Sequence, residues 1–154
     1  MITREILLVE DNDDDVQLTK RALVQNRIGN ELTIVHDGVA ALEHLRRLAS
    51  GAPSGPPLPA VVLLDLKLPR MDGLETLKQL RSDPRLRRLP VVILTSSKEE
   101  QDIVKSYDLG ANSYIRKPVD FEQFSAAIRQ LGLYWLVLNE PPPPAGRPLS
   151  LIHI

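Results

Sequence analysis

Val61-Val62-Leu63-Leu64-Asp65-Leu66-Lys67-Leu68-Pro69 constrains the fold of this chain more than any other stretch. Four consecutive apolar residues suit a strand buried on both faces, as in a parallel sheet, and Pro69 ends any continuation. Asp65 then stands at the strand's C-terminal end, where open α/β sheets gather their ligands. A lone aspartate there more often merely caps the turn into the next helix. Only the rest of the chain can separate the two readings.

Other apolar runs repeat the pattern. Ile6-Leu7-Leu8-Val9 ends in Glu10-Asp11, and Asp13, Asp14 and Asp15 follow, placed to cap a helix that runs to about Asn26 with Val16, Leu18, Ala22 and Leu23 inward. Leu32 to Val35 reads as a second strand, and Asp37-Gly38 turns into a helix carrying Ala41, Leu42, Leu45 and Leu48. Ser50 to Pro59 is an irregular loop. After the Val61 strand, Met71-Asp72-Gly73 leads into a helix with Leu74, Leu77 and Leu80, which Asp83-Pro84 stops. Val91 to Leu94 is the fourth strand, ending in Thr95-Ser96-Ser97. A helix from Glu99 to Leu109 carries Ile103, Val104 and Tyr107 on one side. Ser113 to Arg116 is a fifth strand ending in Lys117-Pro118, and a last helix opens at Asp120 with Phe121, Phe124, Ala127, Ile128 and Leu131. Five strands alternating with five helices predict an α/β, doubly wound, parallel sheet with helices on both faces.

All strand ends of a parallel sheet lie on one edge, so Glu10-Asp11, Asp65, Thr95 and Lys117-Pro118 converge. Three gathered carboxylates repel one another unless a cation or proton intervenes, and an all-carboxylate set without His or Cys suits a hard cation such as Mg²⁺. A lysine and a hydroxyl aimed at the same place suit a phosphoryl group, and an aspartate can serve as its nucleophilic acceptor. Competing motifs are absent. Asp11, Asp13 and Asp15 match positions 1, 3 and 5 of a calcium loop, but Val16 and Ala22 stand where glycine and glutamate are required. No Gly-x-Gly-x-x-Gly or Walker loop occurs, and His36, His44 and His153 lack metal-ligand spacing.

Ile6 to about Leu131 resembles the receiver domain of two-component response regulators. The likeness rests on the acidic pair after the first strand, Asp-x-x-x-Pro at 65–69, Met-Asp-Gly at 71–73, Thr95 and Lys117-Pro118, in that order. It implies a five-stranded sheet of order 2-1-3-4-5, the fold of the chemotaxis regulator. It also implies that Asp65 is the phosphoacceptor and that Glu10, Asp11, Asp65 and the Lys67 backbone carbonyl hold Mg²⁺. Lys117 would pair with the phosphoryl group, Thr95 would hydrogen-bond it, and Tyr114 would change rotamer with it. Read from the residues alone, Tyr114 could also be an aromatic packing the sheet edge, and Thr95 a helix cap. Glu10 stands where the family more often has aspartate. A narrower likeness, carried by Val9-Glu10-Asp11-Asn12, Ser106-Tyr107-Asp108-Leu109 and Tyr134-Trp135-Leu136, is to the stand-alone regulators of phytochrome histidine kinases. It implies a sensor kinase partner, a bacteriophytochrome, and a homodimer.

The apolar run Leu133 to Leu138, with the only Trp, suits an association surface. The expected layout is thus one receiver domain over 1–138, its dimerisation segment at 132–138, and a Pro-rich extended tail over 139–154. With 19 basic and 20 acidic residues, net charge −1, no bulk field points to nucleic acid or membrane. The absence of cysteine excludes disulfides and thiolate chemistry. A first strand that starts almost at Met1, with no bilayer-length apolar run, leads to a cytoplasmic expectation. With no DNA-binding or catalytic segment in view, output would pass through protein contacts or onward phosphotransfer. A Mg²⁺-dependent phosphohydrolase is the alternative, but phosphatases of the haloacid dehalogenase type need an aspartate two residues after the nucleophile, where this chain has Lys67.

Overall fold

The computed structural model describes residues 4–51, 57–95, 105, 107–116 and 121–131, with the backbone alone at Thr95, Tyr114, Arg116 and Leu131. Its strands are β1 (Ile6–Val9), β2 (Leu32–Val35), β3 (Val61–Asp65), β4 (Val91–Thr95) and β5 (Ser113–Arg116). All pairings are parallel and the order is β2-β1-β3-β4-β5, as expected. The described helices are α1 (Asp13–Gln25), α2 (Gly38–Ala49), α3 (Gly73–Ser82) and, as α4 here, Phe121–Leu131. Of the helix expected over Glu99–Leu109, only Lys105, Tyr107 and Asp108 are described as helical.

The apolar runs form strands because each is covered twice. Every residue of β1 and β3 is buried, whereas the edge strand β2 is half-buried throughout. Alternation of side chains then divides the core. Ile6, Leu8, Val61, Leu63, Val92 and Leu94 pack with Val16, Leu23, Phe124 and Ile128 of α1 and α4. Leu7, Val9, Val62, Leu64 and Ile93 pack with Leu42, Leu45, Leu77 and Leu80 of α2 and α3. Between α1 and α4, the Asn26 Nδ2 donates to the Ser125 carbonyl at 3.0 Å, and the Arg21 guanidinium lies 4.1 Å from the Phe121 ring centre.

One local expectation needs correction. The cap of α1 is Asn12, whose side chain accepts from the Asp15 N–H at 3.1 Å, so Asp13, Asp14 and Asp15 occupy the first turn. There they still meet the positive dipole end. Tyr107, expected on one side of its helix with Ile103 and Val104, is 46% exposed. Ile103, Val104, Asp120 and the segment 132–154 lie outside the described residues. Among the described residues, no helix is long and apolar enough to cross a membrane.

Candidate functional site

Strand register brings the acids together. Val9 is level with Leu64 across the β1–β3 pairing, so Glu10 follows β1 beside the place where Asp65 ends β3. One carboxylate oxygen each from Glu10, Asp11 and Asp65 lies within 4.8 Å of the others. Glu10 and Asp65 are buried, at 1% and 6% exposure, and Asp11 is open to solvent. Gathering carboxylates at the dry end of a sheet is costly unless positive charge offsets them, and oxygen donors alone are the donor set of Mg²⁺ or Mn²⁺. The residues fit such an ion.

Backbone donors shape the individual carboxylates. The Asn12 N–H donates to Glu10 Oε2 at 3.3 Å and the Lys67 N–H to Asp65 Oδ1 at 3.3 Å. Thus Lys67 touches the phosphoacceptor candidate through its main chain. Thr95 pairs in register with Arg116, the residue before Lys117, and Ile93 with Tyr114. The side chains of Thr95 and Tyr114 and the whole of Lys117 lie outside the described residues.

The loop after Asp65 is closed by its glycine. The Gly73 N–H donates to the Leu66 carbonyl at 2.8 Å, and Asp72 caps α3 by accepting from the Glu75 N–H at 2.8 Å. A β-carbon on Gly73 would lie 2.7 Å from the Leu66 Cα and closer still to the Asp65 carbonyl oxygen. The Met-Asp-Gly sequence therefore lets the start of α3 approach the backbone of Asp65 itself.

Sequence reasoning missed three residues around the site. The His36 Nδ1 bonds the Glu10 carbonyl at 3.1 Å, which makes that nitrogen the protonated one, since a carbonyl only accepts. Asp37 caps α2 by accepting from the Ala40 N–H at 2.8 Å. Arg70, in the left-handed region at φ 63°, donates through Nε and Nη2 to both oxygens of Asp37 at 2.8–3.0 Å. The Ala40 N–H, followed by Arg70, holds the Asp37 carboxyl below its ordinary range. Asp37-Gly38 did signal a helix start in the sequence, but nothing local links it to a residue 33 positions later. Away from the site, His44 Nε2 sits 2.8 Å from Glu5 Oε1.

The response regulator receiver domain family matches this chain over residues 6–129. The probable methanogenesis regulatory protein FilR2 of Methanothrix harundinacea is 41% identical over 91% of this chain and 88% of its own. Response regulator Rcp1 of Synechocystis is 38% identical over 85% of this chain and 88% of its own. The Mn²⁺-bound form of Rcp1 superposes with a TM-score of 0.76 at 36% identity, covering 91% of this chain and 99% of that one. The bacteriophytochrome response regulator RtBRR gives 0.72 at 54% identity, covering 92% and 86%. Parallel sheet, converging acids and relatives of matching length agree that this chain belongs to the response regulator receiver domain family of two-component signalling.

Proposed function

We propose that this chain is a phosphorylation-dependent switch that takes a phosphoryl group from the phosphohistidine of a sensor histidine kinase onto Asp65. The observation that carries the reading is the gathering of Glu10, Asp11 and Asp65 within 4.8 Å at the C-terminal end of β1 and β3. An Asp65 carboxylate oxygen forms the new O–P bond while the N–P bond to the kinase imidazole breaks, and the imidazole leaves. Glu10, Asp11, Asp65 and the Lys67 carbonyl would hold Mg²⁺, which supplies charge neutralisation at the transferring phosphoryl group. Buried Glu10 contributes a full carboxylate in place of the commoner aspartate. By the family pattern Lys117 pairs with the phosphoryl oxygens, Thr95 donates its hydroxyl to them, and Tyr114 changes rotamer. The signal then leaves through protein contacts.

The resemblance to bacteriophytochrome regulators supports a phytochrome-type kinase as donor, and the compartment we propose is the cytoplasm. The apolar segment 132–138 is the proposed homodimer contact, and 139–154 an extended tail. The finding of a Mn²⁺-bound relative supports divalent metal at the acidic site.

Incubation with acetyl phosphate and Mg²⁺, followed by intact-mass measurement, tests the reading. The wild type gains one phosphoryl mass and Asp65→Asn gains none; chelation of Mg²⁺ abolishes the gain. A wild type that stays unmodified refutes the function. Equal labelling of Asp65→Asn refutes the site.

A further inference from the structure

The two loops that carry the proposed metal ligands are joined by a third element that carries none. The β2–α2 turn places His36 and Asp37 side by side. His36 bonds the Glu10 carbonyl in the β1–α1 loop, at 3.1 Å. Asp37 takes three hydrogen bonds from the Arg70 guanidinium in the β3–α3 loop, the loop that follows Asp65 and includes Lys67. Adjacent residues thus hold both sides of the acidic site.

Several features set this ion pair apart from an ordinary surface contact. The Asp37 side chain is only 13% exposed, whereas that of Arg70 is 59% exposed. The carboxylate is anchored independently by the Ala40 N–H, so Arg70 closes on a fixed partner. Both oxygens are engaged, and a forked geometry fixes orientation as well as distance. Arg70 also holds a left-handed backbone, which an L side chain adopts only against its local preference. Two backbone bonds span Arg70: the Met71 N–H donates to the Pro69 carbonyl at 2.7 Å, and the Gly73 N–H to the Leu66 carbonyl at 2.8 Å. A pull on Arg70 is therefore transmitted to a loop with little slack.

We propose that His36, Asp37 and Arg70 form a bracket that sets the spacing between the Glu10–Asp11 side and the Asp65–Lys67 side of the site, making Arg70 a positioning residue for divalent-metal binding. The inference rests on the metal site proposed above. Arg70 acts through the loop, without contact to the ion. Loss of the guanidinium lets the β3–α3 loop move relative to β1, so the donors no longer present one matched set of distances. Mg²⁺ is sensitive to such slack because it demands near-ideal octahedral geometry.

Calorimetric titration of the full chain with MgCl₂ alone tests the bracket, using Arg70→Gln, Asp37→Asn, the double variant and Arg70→Lys. Asparagine keeps the α2 cap, so Asp37→Asn removes the charge and leaves the helix start. Each single variant weakens Mg²⁺ binding about three- to tenfold, below the usual effect of losing a partner bonded directly to a ligand. The double variant is no weaker than either single, and Arg70→Lys recovers part of the loss. Thermal melts run alongside shift little, since one exposed partner contributes little to global stability. Wild type that binds Mg²⁺ while the variants bind it equally refutes the bracket alone. Additive losses refute it too, because they make the two residues independent. Melting shifts without a change in affinity assign the pair a purely structural role. A wild type that takes up no Mg²⁺ refutes the metal site and the bracket with it.

Discussion

Replacing Gly73 by alanine tests the link between local packing and the phosphoacceptor most directly. The added β-carbon would sit 2.7 Å from the Leu66 Cα and 2.9 Å from the Asp65 carbonyl carbon, with the Asp65 oxygen nearer still. Carbon atoms pack comfortably at about 3.5–4.0 Å, so α3 and the end of β3 must separate by about 1 Å. All these obstructing atoms are backbone, so no side-chain rotation relieves the clash. The movement also stretches the Gly73 N–H bond to the Leu66 carbonyl, which starts at 2.8 Å. Overpacking of this kind costs about 1–3 kcal/mol, and a displacement of about 1 Å at a reacting group can cost about 100-fold in rate. Gly29 is the control, because it is exposed and a β-carbon there meets nothing within 4 Å. Urea unfolding and the acetyl phosphate labelling rate should both suffer in Gly73→Ala and neither in Gly29→Ala. If Gly73→Ala unfolds at the wild-type urea concentration and labels at the wild-type rate, the close approach of α3 to Asp65 does not constrain the site.

Arg81 donates to the carbonyls of Gly110, Arg87 and Leu89 at 2.8–3.0 Å and to Asn112 Oδ1 at 3.1 Å, and burial brings its pKa down to about 10, still charged at neutral pH. Arg81→Met strands these acceptors and should cost about 2 kcal/mol in urea unfolding, whereas a loss under about 0.5 kcal/mol would show that solvent satisfies them equally well. Acid should weaken the folded state through Asp37 and Asp83, whose carboxyls lie below the ordinary 3.8, the first held by the Ala40 N–H and the second by Arg85. Because the folded pKa is the depressed one, their contribution is full above about pH 4 and is lost as pH falls through the folded values. The melting-temperature gap between wild type and Asp83→Asn should therefore close below pH 4; a gap that persists unchanged to pH 2.5 contradicts this assignment.

The fold was legible because its information is repetitive and local. Ile6–Val9, Val61–Leu64 and Val91–Leu94 each announce a doubly covered strand by composition alone, and their alternation with helical apolar stripes leaves few topologies. The three acids were legible for the same reason, since a parallel sheet sends every strand end to one edge. The cap of α1 was blurred because Asn12 and the three aspartates after it are all good caps.

By itself the sequence determined the strand and helix order, the acidic donor set and the place of Asp65 at the end of a strand buried on both faces. Periodicity and strand-end chemistry need no knowledge of distant contacts. Only the tertiary structure decided how the loops around those acids are held. The hold of His36 on the Glu10 carbonyl and the closure of Arg70 on Asp37 join different βα units, and the approach of Gly73 to the Asp65 backbone closes the β3–α3 loop on itself. Such contacts exist only after the sheet has set its register, because hydrogen bonds and van der Waals contacts act over a few ångströms whatever the separation along the chain.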